Sequence, residues 1–425
     1  MIQEAEYKKR RDAFGKKLKP NSLSVIFSAK AKQRSNDTEY PYRQDSNFYY
    51  LSGFKEDNSF IVIYKEKKKC ESYLFVQKKD KTLELWTGKR LGQKKAKEKF
   101  SFDAVYTSDE YEDKLLEMIK RSKNLYYDFR VKDERVVKLQ EMSSSYLSFK
   151  NIAYPLGMLR LIKSNAEIEL IQQALKITKE AHHRAMSLNK KGLYEFELQA
   201  DIEHTFKSNG SYSDAYTSIV ACANAANTLH YISNDKKLKE GELILIDAGC
   251  EYEYYSSDIT RTIPTSAAFS EAQRDLYEMV LDVEKKIIQM IKPDILRTDL
   301  QKESEKLLCE GMLRLGILKG KLTKLLKQQA HKKYYPHGIG HWMGLDVHDE
   351  SPYKDKKGDE IPLMAGMVMT IEPGIYIDKN DKTVPKKYRG IGIRIEDDIL
   401  VTQNGYENLS KDILKEIVDI EALNS

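Results

Sequence analysis

Residues 242–263 read ELILIDAGCEYEYYSSDITRTI. An apolar run from Leu243 to Ile246 ends at Asp247, a tyrosine-rich turn follows, and a second run returns from Ser256 through Asp258 to Ile263. Two short β-rich runs around a turn predict an antiparallel strand pair. With the loop centred on Tyr252-Glu253, Asp247 and Asp258 face each other, and directly opposed residues have Cβ atoms about 4.5–5.5 Å apart. Two carboxylates that close do not both ionise cheaply without a cation between them. Taken alone, they read equally well as exposed hairpin acids. Ile244, Leu245, Ile246, Ile259 and Ile263 around them argue for burial, and hence for a metal site.

Outward from this hairpin the chain shows one pattern used twice. Ser164-Asn165-Ala166-Glu167 is a capping box. Behind it Ile168, Ile171 and Leu175, flanked by Leu170, Ala174 and Ile177, form one face at helical spacing. Helices are predicted over ~165–188 and ~194–208, the second closed by Asn209-Gly210, with strands at ~216–222, ~242–249 and ~256–263. The order then recurs: helices open at the Ser270…Gln273 and Thr298…Gln301 boxes, and strands follow at ~343–348, ~366–372 and ~391–401. A spacing of roughly a hundred residues is too long for a solenoid and fits two related halves packed around one site. Lys319 to Lys333, with six lysines, reads as a surface helix or insertion.

Before this region the character differs. Ser24–Ser28 (SVIFS), Phe60–Tyr64 (FIVIY) and Ser72–Val76 (SYLFV) read as buried strands, and Lys94–Phe100 and Tyr111–Lys120 as helices. Strands alternating with helices predict an α/β domain. The change comes near Pro155-Leu156-Gly157, giving an N-terminal α/β domain over 1–160 and an α+β domain over 161–425.

Composition narrows the function. The 425 residues are 41% hydrophobic and 32% charged, which suits a folded, water-facing chain and not a disordered one. No apolar run approaches the ~18 residues of a membrane helix, and no secretory signal is visible, so a cytoplasmic protein without a membrane partner is expected. Cys70, Cys222, Cys250 and Cys309 lie far apart, which excludes a disulfide scaffold and a zinc ribbon. The net charge of +6 and the short clusters Lys8–Arg11 and Lys67–Lys69 fall short of a nucleic-acid footprint.

Three further stretches carry unexpected polar residues. Residues 337–349, HGIGHWMGLDVHD, hold three of the eight histidines, and their glycines let backbone approach a ligand. Residues 367–374, MVMTIEPG, are an apolar strand ending in Glu372, and an acid there is costly unless paired. In residues 390–401, GIGIRIEDDILV, Ile391, Ile393 and Ile395 point one way and Arg394 and Glu396 the other, so Arg394 can orient the Glu396 carboxylate. Singly, each acid reads as an ion-paired or surface residue. Together Asp247, Asp258, His341, Glu372 and Glu396 supply four carboxylates and one imidazole. That set neutralises two divalent cations, and oxygen-rich ligation without thiolate favours a hard metal such as Mn²⁺. Two such ions bridged by carboxylates can hold a hydroxide, which is a hydrolase centre. Tyr216 and Tyr231 are the tyrosines expected near substrate, whereas His182, His183 and His204 read as structural.

This five-residue set, in this order, resembles the dimetal centre of the pita-bread metallopeptidases. HGIGHWMGLDVHD, EPGIYI (372–377) and GIRIEDDILVT (392–402) are most similar to the aminopeptidase P branch. So are DTEYPYRQDSNFYYLSGF (37–54) and LWTGKRLG (85–92) in the N-terminal region. The resemblance implies a pita-bread C-terminal catalytic domain of two pseudo-symmetric halves. It implies that Asp247 chelates one metal, that Asp258 and Glu396 bridge both, and that His341 and Glu372 complete the second site, with Glu372 also taking the proton from a bridging hydroxide. His230 and His348 correspond to histidines that hold the scissile carbonyl, and His337 to a residue lining the proline pocket. Tyr376 and Arg394 correspond to supporting positions, and Trp86 to an aromatic that reaches a neighbouring subunit, which implies a homodimer or homotetramer. The implied activity is release of the N-terminal residue from peptides with proline at position two. The nearest alternative is prolidase, which is confined to Xaa-Pro dipeptides. A non-catalytic binding scaffold is disfavoured because all five ligand positions are filled. The AANTLHY sequence around His230 departs from the glycine-rich pattern of the resemblance.

Overall fold

Ser22–Phe27 (β1) is buried along its whole length, as a strand covered on both faces must be. It lies inside a six-stranded sheet in the first of two compact units, Met1–Arg160 and Leu161–Ser425, of the computed structural model. The structure describes residues 2–143, 146–188 and 190–424. With β2 (Phe60–Lys65), β3 (Cys70–Val76), β4 (Ala104–Thr107), β5 (Asn124–Tyr127) and β6 (Ser148–Asn151), the sheet order is β4-β3-β2-β1-β5-β6. The β1–β2 and β2–β3 pairs are antiparallel, and the outer pairs are parallel. Leu23, Val25 and Phe27 alternate onto the face that packs Leu115 and Ile119 of Tyr111–Lys120 and Val136 and Leu139 of Glu134–Glu141. This is the α/β arrangement the sequence predicts.

The second unit opens with α1 (Asn165–Ser187), and Ser164 forms the expected capping box: Glu167 N donates to Ser164 Oγ at 3.4 Å, and Ser164 N donates to Glu167 at 2.9 Å. Next come α2 (Glu195–Ser208) and the antiparallel strands β7 (Ile219–Cys222), β8 (Leu243–Asp247) and, after a small hairpin of β9 (Cys250–Tyr252) and β10 (Tyr255–Ser256), β11 (Thr260–Pro264). The second half repeats the plan with α3 (Glu271–Met290), capped by Ser270, and α4 (Arg297–Arg314). These are followed by β12 (Val368–Ile371), β13 (Gly374–Ile377), β14 (Ile391–Arg394), β15 (Asp397–Val401) and β16 (Tyr406–Asn408). Strands of the two halves meet where Thr262 Oγ1 donates to Arg394 O at 3.0 Å and Glu396 N donates to Thr260 O at 3.1 Å.

Four local expectations are corrected. The hairpin turn centres on Glu253-Tyr254, both at positive φ (47° and 71°), so Asp247 pairs with Thr260 and not with Asp258. α4 starts at Arg297, because the Thr298 N–H and hydroxyl donate to Glu360 at 3.0 and 2.6 Å instead of capping the helix. Residues 343–348 form no strand: Trp342 makes a single bridge to Met369, and the chain then bends. The run 391–401 is two strands in two sheets, broken at Ile395-Glu396. The lysine-rich stretch holds a short helix, Leu322–Lys327, and a 3₁₀ turn. Among the described residues no helix is long and apolar enough to cross a membrane.

Candidate metal centre

Asp247 ends β8, Asp258 sits just before β11, and Glu396 occupies the break between β14 and β15. His341 and Glu372 lie on two adjoining backbone segments. Thr370 N donates to His341 O at 3.0 Å, and Glu372 N donates to Ile339 O at 2.8 Å. Two glycines permit these approaches. A Cβ at Gly340 would lie 1.9 Å from Thr370 O, and one at Gly249 would lie 1.9 Å from Ser257 O. The first glycine sets His341 beside Glu372, and the second sets Asp247 beside Asp258.

All five residues line one cavity of about 690 Å³. Ligand atoms of Asp258, His341 and Glu396 lie within 4.8 Å of one another. His341 Nε2 is 3.3 Å from Asp258 and 3.8 Å from Glu372. His341 Nδ1 lies 3.1 Å from Trp342 O. Donation there leaves Nε2 as the nitrogen turned to the acids, the one that becomes free for a metal once its proton is displaced.

Arg394 organises the set, though not as expected. It does not bond Glu396 directly. It donates to Asp247 at 2.5 Å, to the Tyr376 hydroxyl at 3.0 Å and to Thr260 Oγ1 at 3.0 Å, and the Thr260 hydroxyl donates to Glu396 at 2.7 Å. Thr260 therefore relays the arginine's position to the glutamate. His337 completes this layer with a 2.8 Å bond to Tyr376 OH.

The electrostatics are those of crowded acids. Burial, with Asp258, Glu372 and Asp247 close by, pushes Glu396 well above the usual carboxylate range. Burial also raises Asp247 against the opposing pull of Arg394. Glu372 is pushed up to about 7 by burial, with His341 and Arg394 offsetting part of the rise. Burial alone lowers His341, but Asp258 and Glu372 outweigh it and hold the imidazole at about 9. His337 is lowered to about 4 by burial and Arg394, and His348 is lowered by burial and His341. Among the described residues, Asp247 Oδ1 is buried with no hydrogen-bond partner. An orphaned carboxylate oxygen beside three other acids, with one arginine among them, fits a divalent cation that would take both the open lone pair and the surplus charge.

His230 and His348 line the same cavity as Tyr216 and His337. The His348 ring lies 4.1 Å from that of His341. Tyr231 does not line it; its hydroxyl donates to Glu195 at 2.8 Å and to Asp235 at 3.0 Å. Trp86 stands on a short helix of the first unit, Leu83–Thr87, and is 84% exposed. Sequence reasoning missed Thr260, and also Asp398, which is fully buried and accepts from Asp258 N at 3.0 Å. It also missed the apolar lining from Ile219, Leu229 and Ile232. Thr260 had one available signal, its position two residues beyond Asp258 on a strand of alternating faces.

Residues 169–403 match metallopeptidase family M24, and residues 7–126 match the aminopeptidase P N-terminal domain. The chain is 39% identical over 418 residues to the Xaa-Pro aminopeptidase of Haemophilus influenzae, covering 98% of this chain and 96% of that protein. It is 37% identical to the Xaa-Pro aminopeptidase of Escherichia coli, covering 99% and 98%. Among solved structures it superposes on proline aminopeptidase P II from Yersinia pestis with a TM-score of 0.95 at 37% identity, covering 100% of this chain and 99% of that one. The architecture of the second unit is accordingly the pita-bread fold.

Proposed function

The chain belongs to metallopeptidase family M24, and from that premise we propose that it is an aminopeptidase releasing the N-terminal residue from peptides with proline at position two. The observation that carries this reading is the convergence of Asp247, Asp258, His341, Glu372 and Glu396 with three more histidines on one cavity. The family makes the chain a hydrolase that uses a divalent metal. We propose two ions, Mn²⁺ by the hardness of the donor set. Asp247, Asp258 and Glu396 would hold the first, and Asp258, Glu396, His341 and Glu372 the second. Bound there, such cations supply Lewis acidity, making water acidic enough to deprotonate near neutral pH and withdrawing charge from a carbonyl.

The side chains do the rest. Glu372, a carboxylate at the cavity wall, takes a proton there and returns it to the leaving nitrogen. His230 and His348 face the open side of the cavity, where they hold the carbonyl before proline. His337, kept neutral by burial and Arg394 and fixed by Tyr376, offers a flat, uncharged surface to the proline ring, and Tyr216 flanks the reacting end. Arg394 keeps Asp247 aligned and, through Thr260, Glu396. We further assign residues 1–160 as an aminopeptidase P-like N-terminal domain and 161–425 as the catalytic domain. Exposed Trp86 is an oligomer contact of a cytoplasmic homodimer or homotetramer.

The test is hydrolysis by metal-stripped protein refilled with Mn²⁺. Release of the first residue from Xaa-Pro-Xaa peptides is expected. Cleavage of Xaa-Pro dipeptides alone would move the assignment to prolidase, and cleavage of neither would remove the proline specificity.

A further inference from the structure

A second cavity, of about 710 Å³, shares no lining residue with the metal centre. Lys236, Lys237, Lys239, Lys379, Lys387 and Arg389 surround it, and among the described residues Glu242 is the one carboxylate in its wall. Lys387 is paired with Asp275 at 2.9 Å, and Arg389 is held by the carbonyl of Val384 at 2.9 Å. Among the described residues, Lys236, Lys237, Lys239, Lys379 and Arg389 have no carboxylate within ion-pair distance. Five cations without an ion-pair partner on the wall of one concavity repel one another, and an anion seated among them relieves that repulsion. The capping end of α3, Ser270 and Gln273, adds the positive end of a 20-residue helix to the same wall.

We propose that this cavity binds a small phosphate-bearing polyanion through its phosphates. A volume of this size suits a small-molecule ligand. No aromatic side chain lines it, so there is no platform on which a nucleobase could stack. Recognition rests on the charge of the lysines and of Arg389. The site also has a route to the metal centre. Ala223–Ala225 with Lys236, Lys237 and Lys239 line the polyanion cavity, while Leu229, His230 and Ile232, between them in sequence, line the other. A ligand here grips both stems of the segment that carries His230.

The test is calorimetric titration of the metal-loaded enzyme with inorganic tripolyphosphate and, in parallel, with ATP. The comparison protein is K237E/K239E/K379E, whose changes lie on exposed side chains outside the metal centre. Removal of active-site metal by polyphosphate acts on both proteins alike and cancels. Saturable one-site binding is expected, weakening with added salt and falling by at least about tenfold in the variant. Equal affinities for the two ligands assign recognition to the phosphate chain alone, and tighter ATP binding adds a contact to the nucleoside; either supports the site. An unchanged isotherm in the variant, or no saturable binding by the wild-type enzyme, overturns it.

Discussion

Replacing Gly340 with alanine tests how the centre is built, because the consequence can be worked from one contact. The new Cβ would lie 1.9 Å from the Thr370 carbonyl oxygen, whereas real Cβ atoms do not approach within 3.0 Å, so the two segments must part by about 1.1 Å. The flanking bonds, Thr370 N to His341 O at 3.0 Å and Glu372 N to Ile339 O at 2.8 Å, have no slack for such a shift. Losing both costs about 1 kcal/mol each, and the forced contact adds ~1–3 kcal/mol. The expected loss is therefore ~3–5 kcal/mol, a drop of roughly 10 °C in Tm for a unit of this size. The same parting moves His341 away from Glu372 by several times the ~0.2 Å that metal coordination tolerates. Thermal unfolding with and without Mn²⁺, together with metal titration, measures both effects. Gly405→Ala is the control: nothing lies within 4 Å of its Cβ position, and its Tm should not move. A Gly340→Ala protein with wild-type Tm and wild-type metal affinity would refute the reasoning.

Arg394→Met strands the buried Asp247 carboxylate, so the metal-free protein should lose ~3–5 kcal/mol, more than the metal-loaded form loses, because bound cations replace the missing charge; equal losses in both forms would contradict this, and differential calorimetry distinguishes the two. Metal affinity should rise with pH: His341 at about 9 and Glu372 at about 7 bind protons that a cation must displace, and that competition fades as pH climbs through each value. Titrations in buffers of different ionisation enthalpy should show proton release on metal binding near neutral pH, and an affinity independent of pH from neutrality to about 9 would count against it. Glu195 is fully buried and accepts from Cys222 N at 2.7 Å, Tyr231 OH at 2.8 Å and Lys236 N at 2.9 Å, pinning both stems of the His230 segment. Glu195→Gln replaces one acceptor with a donor and should lower stability by about 1–3 kcal/mol and kcat/KM by about tenfold, with His230→Ala in the same background adding little; full additivity of the two changes would show that Glu195 acts elsewhere.

The sequence was most legible where the determining contacts are local. The boxes at Ser164 and Ser270 close between residues three apart, and both helices begin there. At Thr298 the same local signal misled, because the hydroxyl is taken by Glu360, far along the chain. The apolar stretch 391–401 looked like one strand because hydrophobicity runs through it. Its break is set by tertiary demand: Ile391–Arg394 pairs with Gly374–Ile377, Asp397–Val401 pairs with Val368–Ile371, and Glu396 turns inward between them. Residues 343–348 spend their polar backbone groups on bends, with Gly344 N donating to Asp346 O and Asp349 N to Trp342 O, and no pattern of side chains announces that. Asp398 was hidden by its company, since the three acids Glu396-Asp397-Asp398 look like a solvated run although all three are buried.

Asp247 and Asp258 line one cavity although the hairpin turn is displaced from its expected centre, for a reason that lies in the geometry of strands. The turn of this hairpin uses Glu253 and Tyr254 at positive φ, conformations usually given to Asn and Gly, so its centre could not be read from composition and was displaced by one residue. Moving a turn centre by one residue moves every cross-strand partner by two, here from Asp258 to Thr260 opposite Asp247. Side chains alternate with a period of two. The displacement therefore kept Asp258 on the face it shares with Asp247, and it set Thr260 between Arg394 and Glu396 as the hydroxyl that ties the two halves together. A turn centre displaced by half a residue, as happens when the loop gains or loses one position, would have moved the partner by one and turned the acid away. The expectation of a metal site thus rested on parity and on the cost of burying acids beside isoleucines, both of which are properties of sequence, and the register itself had to come from the fold.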